Sequence, residues 1–272
     1  MKIEIKDLNH TYPNGVVALK KINLVIEGQS SIAIIGQNGA GKTTLVKHLN
    51  GILLPTAGDV LIDNVSTRTQ SIARWSRRIG YIFQNPDDQL FQNSVRKELE
   101  FGPKRLGLDK EQIEKEIQYS SEISGLAKVL DSHPYDLPPT QKKMVAIASI
   151  IAMDPEVLVL DEPTMGQDMR GNQLLAELIN KLLEAGKTLI TISHDMKFVA
   201  SYFDRVIVLC KGDVILDGTT REAFGQPDIL ALTYVAPPPM TRLAQRIRYE
   251  KTVLNINEFV QETESKIRSN IH

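Results

Sequence analysis

The chain contains 272 residues, of which 42% are hydrophobic, so it is long enough for one sizeable core with or without an attached subdomain. Its formal net charge of −1 does not indicate a nucleic-acid-binding protein, although a local basic groove is compatible with that charge. The single cysteine, Cys210, cannot form a disulfide within the chain, which is typical of a reducing, cytosolic setting.

The predicted strands are of two kinds. Alternating apolar and polar residues predict strands of an antiparallel sheet with one wet face at 3–8 and 22–26, and a further short strand at 59–63. The first strand begins at the N-terminus, where we therefore do not expect a signal peptide. Compact, mainly apolar runs predict parallel strands covered on both faces at 31–35, 81–83, 157–160 and 188–192. A closing hairpin is predicted at 206–210 and 214–216.

Residues 85–151 are polar and helical, with few strand signals. They contain predicted helices at 111–129 and 141–153, and we interpret them as a helical subdomain inserted into an α/β core that spans residues 1–220. Residues 221–272 predict a mostly helical C-terminal extension, in which three consecutive prolines at 237–239 indicate a hinge or docking elbow. The longest apolar stretch, 145–153, is too short to span a bilayer, so we expect any membrane link to come through a partner.

Residues 36–43, the phosphate loop, read Gly-Gln-Asn-Gly-Ala-Gly-Lys-Thr between a predicted strand and the start of a helix. Its glycines let successive N–H groups point at one anion, and the helix adds its positive N-terminal end. Lys42 is expected to reach the β- and γ-phosphates, and the Thr43 hydroxyl to hold Mg²⁺. A chance glycine loop is the alternative, but the flanking strand and helix favour nucleotide binding. The predicted binding residues are Gly36, Asn38, Gly39, Ala40, Gly41, Lys42, Thr43 and Thr44.

Two carboxylates, Asp161 and Glu162, follow the apolar strand 157–160 directly. Parallel α/β sheets bind ligands at the C-terminal ends of their strands. Asp161 is predicted to complete the Mg²⁺ shell, and Glu162 to accept a proton from the attacking water or to orient it. Alone, such a pair is usually a solvated turn, but its position after the phosphate loop favours the catalytic interpretation.

Three further motifs follow in order, namely Asp161-Glu162-Pro163-Thr164, Gly166-Gln167-Asp168 and Ile192-Ser193-His194-Asp195. With them, residues 1 to about 220 resemble the nucleotide-binding subunit of ATP-binding cassette (ABC) transporters. The resemblance implies ATP and Mg²⁺ as cofactors. It also implies an α/β fold whose P-loop NTPase (RecA-like) core carries an antiparallel β subdomain and an inserted helical subdomain.

The resemblance assigns roles that the pattern alone does not. It implies that Tyr12 stacks on adenine, and that Gln84 senses Mg²⁺ and the membrane partner. It implies that residues 166–168 face the other subunit, and that His194 is the γ-phosphate switch. Taken alone, Tyr12 could be a core aromatic, His194 a structural residue and Gln84 an exposed polar one. The predicted catalytic set is Glu162, His194 and Gln84, and the predicted Mg²⁺ set is Thr43, Gln84 and Asp161.

A narrower resemblance lies in Tyr81-Ile82-Phe83-Gln84-Asn85-Pro86-Asp87-Asp88-Gln89-Leu90-Phe91, in Phe101-Gly102-Pro103 and in the proline-rich tail with Thr241-Arg242-Leu243. These segments are similar to the ATPase subunits of energy-coupling factor (ECF) transporters, the CbiO-like group. The group implies paired ATPases at the cytoplasmic face of the membrane, beneath a membrane scaffold and a substrate-binding membrane subunit, with no nucleic acid. Such transporters take up vitamins or transition-metal ions. Asp87 and Asp88 would then meet arginines of the scaffold, with two solvated acids as the alternative.

The sequence departs from the family where ABC subunits carry Leu-Ser-Gly-Gly-Gln, because residues 137–141 read Leu-Pro-Pro-Thr-Gln. This signature segment normally offers a serine hydroxyl and glycine N–H groups to the partner's γ-phosphate. Pro138 and Pro139 have no N–H to donate, although proline is compatible with the first turn of a helix. One lost donor aimed at developing charge typically costs about a hundred- to a thousandfold in rate. We therefore expect a heterodimer, in which a second ATPase with an intact signature completes this chain's own site.

Three other functions are compatible with the motifs. The first is the ATPase of an ordinary ABC importer, and the second is a non-transport ABC protein that acts on ribosomes or DNA. Such non-transport proteins usually carry two cassettes or long inserted arms, and neither occurs here. The third is a regulatory nucleotide sensor, against which Glu162 argues because a sensor needs no catalytic carboxylate.

Overall fold

The computed structural model describes residues 1–270, which form two β-sheets and the helices that cover them. The strands are β1 (Lys2–Thr11), β2 (Val17–Glu27), β3 (Ser31–Ile35), β4 (Ala57–Ile62), β5 (Val65–Ser66), β6 (Ile79–Ile82), β7 (Val157–Asp161), β8 (Thr188–Ile192), β9 (Arg205–Cys210) and β10 (Asp213–Thr219). The helices are α1 (Lys42–Leu49), α2 (Ile72–Ser76), α3 (Val95–Arg105), α4 (Lys110–Ile123), α5 (Pro139–Ile151), α6 (Met169–Glu184), α7 (Met196–Tyr202), α8 (Thr220–Phe224), α9 (Pro227–Ala231), α10 (Pro239–Arg246) and α11 (Ile256–Asn270).

The first sheet is antiparallel and has the strand order β2-β1-β4-β5. The second sheet has the order β10-β9-β3-β8-β7-β6. Its strands β9, β3, β8, β7 and β6 run parallel to their neighbours, and β10 pairs antiparallel with β9 at the edge. The predicted α/β fold is therefore confirmed, including its antiparallel sheet, its parallel core and its closing hairpin.

Strands β1 and β2 are longer than the alternation of their residues predicts. Their pairing shifts register several times between Ile5 and Thr11, and Asp7 and Lys21 have φ angles of 46° and 45°. A bulge inserts a residue and reverses which face the following side chains occupy. The period-two pattern therefore stops at each bulge, while the hydrogen-bonded strand continues beyond it.

The side chains of β3 alternate between two hydrophobic cores. Ala33 and Ile35 belong to the core beneath helices α3 to α8, whereas Ile32 and Ile34 belong to the core shared with the antiparallel sheet and α1. Both faces of the parallel sheet are thus covered, as its apolar strands predict. The C-terminal ends of β3, β7 and β8 meet at one edge, where each strand is followed by a predicted motif.

The region between β6 and β7 contains three helices, α3, α4 and α5. Helix α4 begins at a capping box formed by Asp109 and Gln112, and it ends before Gly125, whose φ of 72° suits a glycine. The helix predicted at 111–129 is therefore six residues shorter at its C-terminus than expected. Helix α5 begins at Pro139, two residues before the predicted start, because proline is accepted at the first helical position.

Helices α8 to α11 form the C-terminal extension and pack against the core. Phe224 and Leu230 are fully buried in the core beneath the helices. A bidentate ion pair joins Arg221 of α8 to Glu258 of α11, with both N···O distances at 3.0 Å. The proline run caps α10, whose first residue is Pro239. None of the helices within residues 1–270 combines the length and the apolar character that a bilayer span requires.

Candidate nucleotide-binding site

The phosphate loop joins β3 to α1 in a conformation that its glycines permit. Gly36 has a φ of 147°, and a Cβ there would lie 2.2 Å from the carbonyl oxygen of Leu209. Gly41 has a φ of 103°, and a Cβ there would lie 2.5 Å from the carbonyl oxygen of Ala18. Any side chain at either position would require both a strained backbone and displacement of a neighbouring strand.

Lys42 folds back over the phosphate loop. Its Nζ donates to the carbonyl oxygens of Gly36 at 2.7 Å and Gln37 at 3.0 Å, and it lies 3.3 Å from Nε2 of His194. Burial lowers the pKa of Lys42, while Glu162 and Asp161 oppose that shift. The ammonium group is therefore held by weak neutral acceptors that a phosphate can replace.

Thr43 and Asp161 meet across the end of the parallel sheet. The Thr43 hydroxyl donates to Oδ2 of Asp161 at 3.3 Å, and the Tyr81 hydroxyl donates to the same oxygen at 2.6 Å. Burial and the adjacent carboxylate raise the pKa of Tyr81, so its hydroxyl stays protonated. A hydroxyl and a carboxylate are the oxygen donors that Mg²⁺ prefers, so this pair fits the predicted metal beside a nucleotide.

Glu162 and His194 form the other side of the cleft. The backbone N–H of His194 donates to Oε2 of Glu162 at 3.2 Å, and His194 Nε2 lies 3.3 Å from Oε1 of the same side chain. Burial raises the pKa of Glu162. Burial and the nearby Lys42 lower the pKa of His194, so its ring is neutral at pH 7. In the site, the neutral imidazole of His194 therefore lies between the Lys42 ammonium group and the buried carboxylate of Glu162, within 3.3 Å of each.

Tyr12 and Gln84 line the same cleft, which has a volume of about 850 Å³. The Tyr12 hydroxyl lies 2.9 Å from Oγ1 of Thr44, which ties the aromatic ring to the start of α1. Gln84 Nε2 donates to the sulfur of Met165 at 3.0 Å, so its amide is engaged there and not with the predicted Mg²⁺ pair. The predicted residues that line the cleft are Tyr12, Asn38, Gly39, Ala40, Gly41, Lys42, Thr43, Thr44, Gln84, Asp161, Glu162 and His194. Gly36 lies behind the loop, against Leu209.

Two residues of the site were missed by sequence reasoning. The sequence assigns no role in the site to Tyr81, although its hydroxyl donates to Asp161. Lys143 of α5 is 2% exposed, and its Nζ donates to the carbonyl oxygens of Phe83 at 3.3 Å and Gln84 at 2.6 Å. Burial lowers the pKa of Lys143 to about 8. The available signal was weak: Lys143 directly precedes the apolar run 144–148 of α5, and a lysine on the buried face of a helix needs buried acceptors.

The signature segment lies at the exposed N-terminus of α5. Pro138 is the N-cap residue and Pro139 the first helical residue, so the helix survives the substitution, as predicted. Lys142, one turn later, forms an ion pair of 2.7 Å with Asp87. Asp87 therefore has a partner within this chain, and the predicted contact of Asp87 and Asp88 with arginines of a scaffold protein stays a prediction.

Comparison with known proteins agrees with this arrangement. The family model described as ABC transporter matches residues 19–165. A curated relative from Clostridium perfringens (strain 13 / Type A), the energy-coupling factor transporter ATP-binding protein EcfA2, is 40% identical over 257 residues, which cover 91% of this chain and 90% of the relative.

Two solved structures share the fold. The structure of cbiO1 from Clostridium perfringens, described as part of the ABC transporter complex cbiONQ, has a TM-score of 0.77 at 35% identity and covers 90% of this chain and 95% of its own. A dimeric ATP-binding cassette in a post-hydrolysis state, bound to ADP and phosphate, has a TM-score of 0.73 at 26% identity and covers 80% of this chain and 99% of its own.

The fold and the cleft are those of a P-loop ATPase with a cassette architecture. The chain belongs to the ABC transporter family, and it is an ATP-binding, ATP-hydrolysing subunit. Within the family it is similar to the ATPases of ECF transporters.

Proposed function

We propose that this chain energises an ECF-type uptake transporter, bound peripherally at the cytoplasmic face of the cell membrane. It acts there beneath a membrane scaffold and a substrate-binding membrane subunit, and the cargo is a vitamin or a transition-metal ion. The observation that carries the proposal is the convergence of Lys42, the Thr43–Asp161 pair and the Glu162–His194 pair on one cleft. The names of the relatives support the transport role.

The cleft contains the groups that ATP hydrolysis requires. On nucleotide binding, Lys42 exchanges its contacts with loop carbonyls for the β- and γ-phosphates. Thr43 and Asp161 would hold Mg²⁺, with Gln84 joining them after it leaves Met165. The metal would neutralise charge that develops on the phosphate oxygens. Glu162 accepts the proton of the attacking water, and His194 senses the γ-phosphate beside Lys42. Tyr12 stacks on the adenine ring.

The signature segment supports a heterodimer. This chain retains its own Lys42, Thr43, Asp161 and Glu162, but Pro138 and Pro139 have no N–H groups for a partner's nucleotide. Two copies of this chain would therefore make two impaired sites. A second ATPase with an intact signature instead completes the site described above. The other site of the heterodimer, which consists of the partner's nucleotide-binding residues and the signature segment of this chain, is slow.

Steady-state hydrolysis tests the heterodimer. We expect slow turnover by the isolated chain and a large increase when a co-expressed partner ATPase with an intact signature is present. Replacing the partner's catalytic glutamate with glutamine should leave most of that increase, because the fast site uses Glu162 of this chain. Equally fast turnover by the isolated chain would overturn the proposal.

Extraction from membranes in mild detergent tests the transporter type. Mass spectrometry of the copurifying proteins should identify a scaffold and small substrate-capturing membrane proteins. A pair of large channel subunits would instead indicate an ordinary ABC importer. Ribosomal or DNA-bound material with no membrane protein would indicate a non-transport role.

A further inference from the structure

Thr233 connects the C-terminal extension to the phosphate loop. It lies between α9 and α10 and is fully buried. Its position is set by the end of α9, where the N–H of Tyr234 donates to the carbonyl of Ala231 and the N–H of Val235 to that of Leu230. With the φ of Tyr234 at 55°, these two bonds form a Schellman motif, which fixes the backbone at the end of the helix.

The Thr233 hydroxyl makes two hydrogen bonds, one as a donor and one as an acceptor. It donates to the carbonyl oxygen of Leu209 in β9 at 2.9 Å. It accepts from the backbone N–H of Gln37 in the phosphate loop, also at 2.9 Å. Because a hydroxyl has one proton, the bond to Leu209 leaves a lone pair available for Gln37. The extension thereby supplies the partner of a partly buried loop N–H that lies 196 residues away in the sequence.

The same peptide unit is held at its other end by Lys42. The unit joins Gly36 to Gln37, and its carbonyl oxygen, that of Gly36, accepts from Lys42 Nζ at 2.7 Å. Lys42 must release this oxygen to reach a phosphate, after which the bond to Thr233 is the remaining side-chain anchor of the unit. Rotation of this peptide unit changes ψ of Gly36, which is little restricted because glycine has no Cβ.

We propose that Thr233 is a positioning residue, through which the C-terminal extension holds the phosphate loop in its binding conformation. This inference rests on the proposed function, because it presumes that residues 36–43 bind ATP. Without Thr233, the Gly36–Gln37 peptide samples other orientations when Lys42 leaves, and part of the binding free energy is spent in ordering it. The consequence is weaker ATP binding with little change in turnover once ATP is saturating.

Three variants test the proposal. Thr233→Val preserves the shape of the side chain but neither donates nor accepts. We expect it to bind MgATP about three- to tenfold more weakly, the change that loss of one ordinary hydrogen bond produces, with kcat within about twofold of wild type. Thr233→Ser keeps the hydroxyl and should restore the affinity. Thr241→Val is the matched control, because Thr241 is an equally buried threonine of the extension whose hydroxyl donates to Val253, away from the loop.

Hydrogen exchange gives an independent readout. In the absence of nucleotide, the backbone amide hydrogen of Gln37 should exchange faster in Thr233→Val than in wild type or in Thr241→Val. If the valine variant does not fold, Thr233→Ala removes the same two bonds and carries the same expectations. Unchanged ATP affinity in Thr233→Val or Thr233→Ala, or equal weakening in Thr241→Val, would overturn the role of Thr233. Normal ATP binding by the wild-type chain would in that case leave the proposed function intact. Failure of the wild-type chain to bind MgATP would instead refute the proposed function.

Discussion

At the scale of single residues, Glu162 combines a site role with an unusual backbone conformation. Its φ of 49° lies in the left-handed region that side chains other than glycine rarely adopt, at a cost of about 1 kcal/mol or more. Its N–H donates to the carbonyl of Ile192, so the turn after β7 is held by the end of β8. This geometry brings the carboxylate against His194. The strained backbone thus belongs to Glu162, the residue that we propose accepts the proton of the attacking water.

Glu162→Gln should abolish most hydrolysis and preserve ATP binding. The amide has the same shape but cannot accept a proton, and loss of a general base typically costs about a hundred- to ten-thousandfold. Phosphate release and equilibrium binding of MgATP, measured with the partner ATPase present, separate the two effects. Glu156→Gln, at the opposite end of β7, is the control. Undiminished cleavage by Glu162→Gln would contradict the assignment.

The pH dependence of hydrolysis should reflect the burial of Glu162. Burial raises the pKa of this carboxyl, and only its ionised form can accept the proton, so kcat should fall as pH decreases through that raised pKa. The acid limb should therefore lie above pH 4.3, the usual pKa of a glutamate. Measurement of kcat at saturating MgATP between pH 4 and 9, with binding measured in parallel, checks this. Constant kcat over the whole range would be evidence against it.

At the scale of elements, helix α5 joins two functional loops. Its first turn carries the signature segment, and its third and fourth helical turns belong to the core. Between them, Lys142 pairs with Asp87 and Lys143 donates to the carbonyls of Phe83 and Gln84. The helix that begins at the signature segment is therefore attached to the loop that contains Gln84.

Restoring the signature should activate the site that we propose to be slow. The triple change Pro138→Ser, Pro139→Gly and Thr140→Gly returns a hydroxyl and two backbone N–H groups to the start of α5. In the heterodimer we expect the site opposite to accelerate by up to about a hundred- to a thousandfold. Hydrolysis should be measured with Glu162→Gln in the same chain, so that only the site opposite contributes. An unchanged rate in that background would show that the prolines do not limit turnover.

Lys143 should make the stability of the chain depend on pH in the alkaline range. Its pKa is about 8 in the folded state and about 10.4 in an unfolded chain, so the unfolded state binds more protons between these values. The free energy of unfolding therefore rises with pH there, by at most about 1.4 kcal/mol per pH unit. Urea unfolding at pH 8 to 10 should show a smaller rise for Lys143→Met than for wild type. Lys142→Met is the control, and equal slopes for all three proteins would contradict the prediction.

At the scale of the whole molecule, the nucleotide cleft lies where the two cores meet. Strand β3 contributes to both cores, and the phosphate loop follows it directly. The C-terminal extension then closes over the back of that loop through Thr233. Ligand binding in the cleft should therefore stabilise the fold as a unit and not only the loop.

Saturating MgATP should raise the melting temperature of the chain. A ligand that binds only the folded state at a hundredfold excess over its Kd adds about 2.7 kcal/mol, which corresponds to roughly 5 °C or more at this size. Thermal unfolding with and without MgATP checks this in Glu162→Gln, which does not consume the ligand. Lys42→Ala should lose most of the shift, while Lys47→Ala on the same helix should keep it. An equal shift in Lys42→Ala would contradict the role of Lys42.

The sequence by itself determined the parallel strands β3, β7 and β8, the closing hairpin, the phosphate loop and the Asp161–Glu162 pair, whereas the strand predicted at 81–83 is observed at Ile79–Ile82. Each of these is encoded by contiguous residues, since a strand period or a glycine spacing requires no distant partner. Only the tertiary structure decided which residues support the site. Tyr81 reaches Asp161 across 80 residues, Lys143 reaches Gln84 across 59, and Thr233 reaches Gln37 across 196. These contacts depend on how strands and helices pack, because a buried polar group takes whichever partner the fold brings within hydrogen-bond distance.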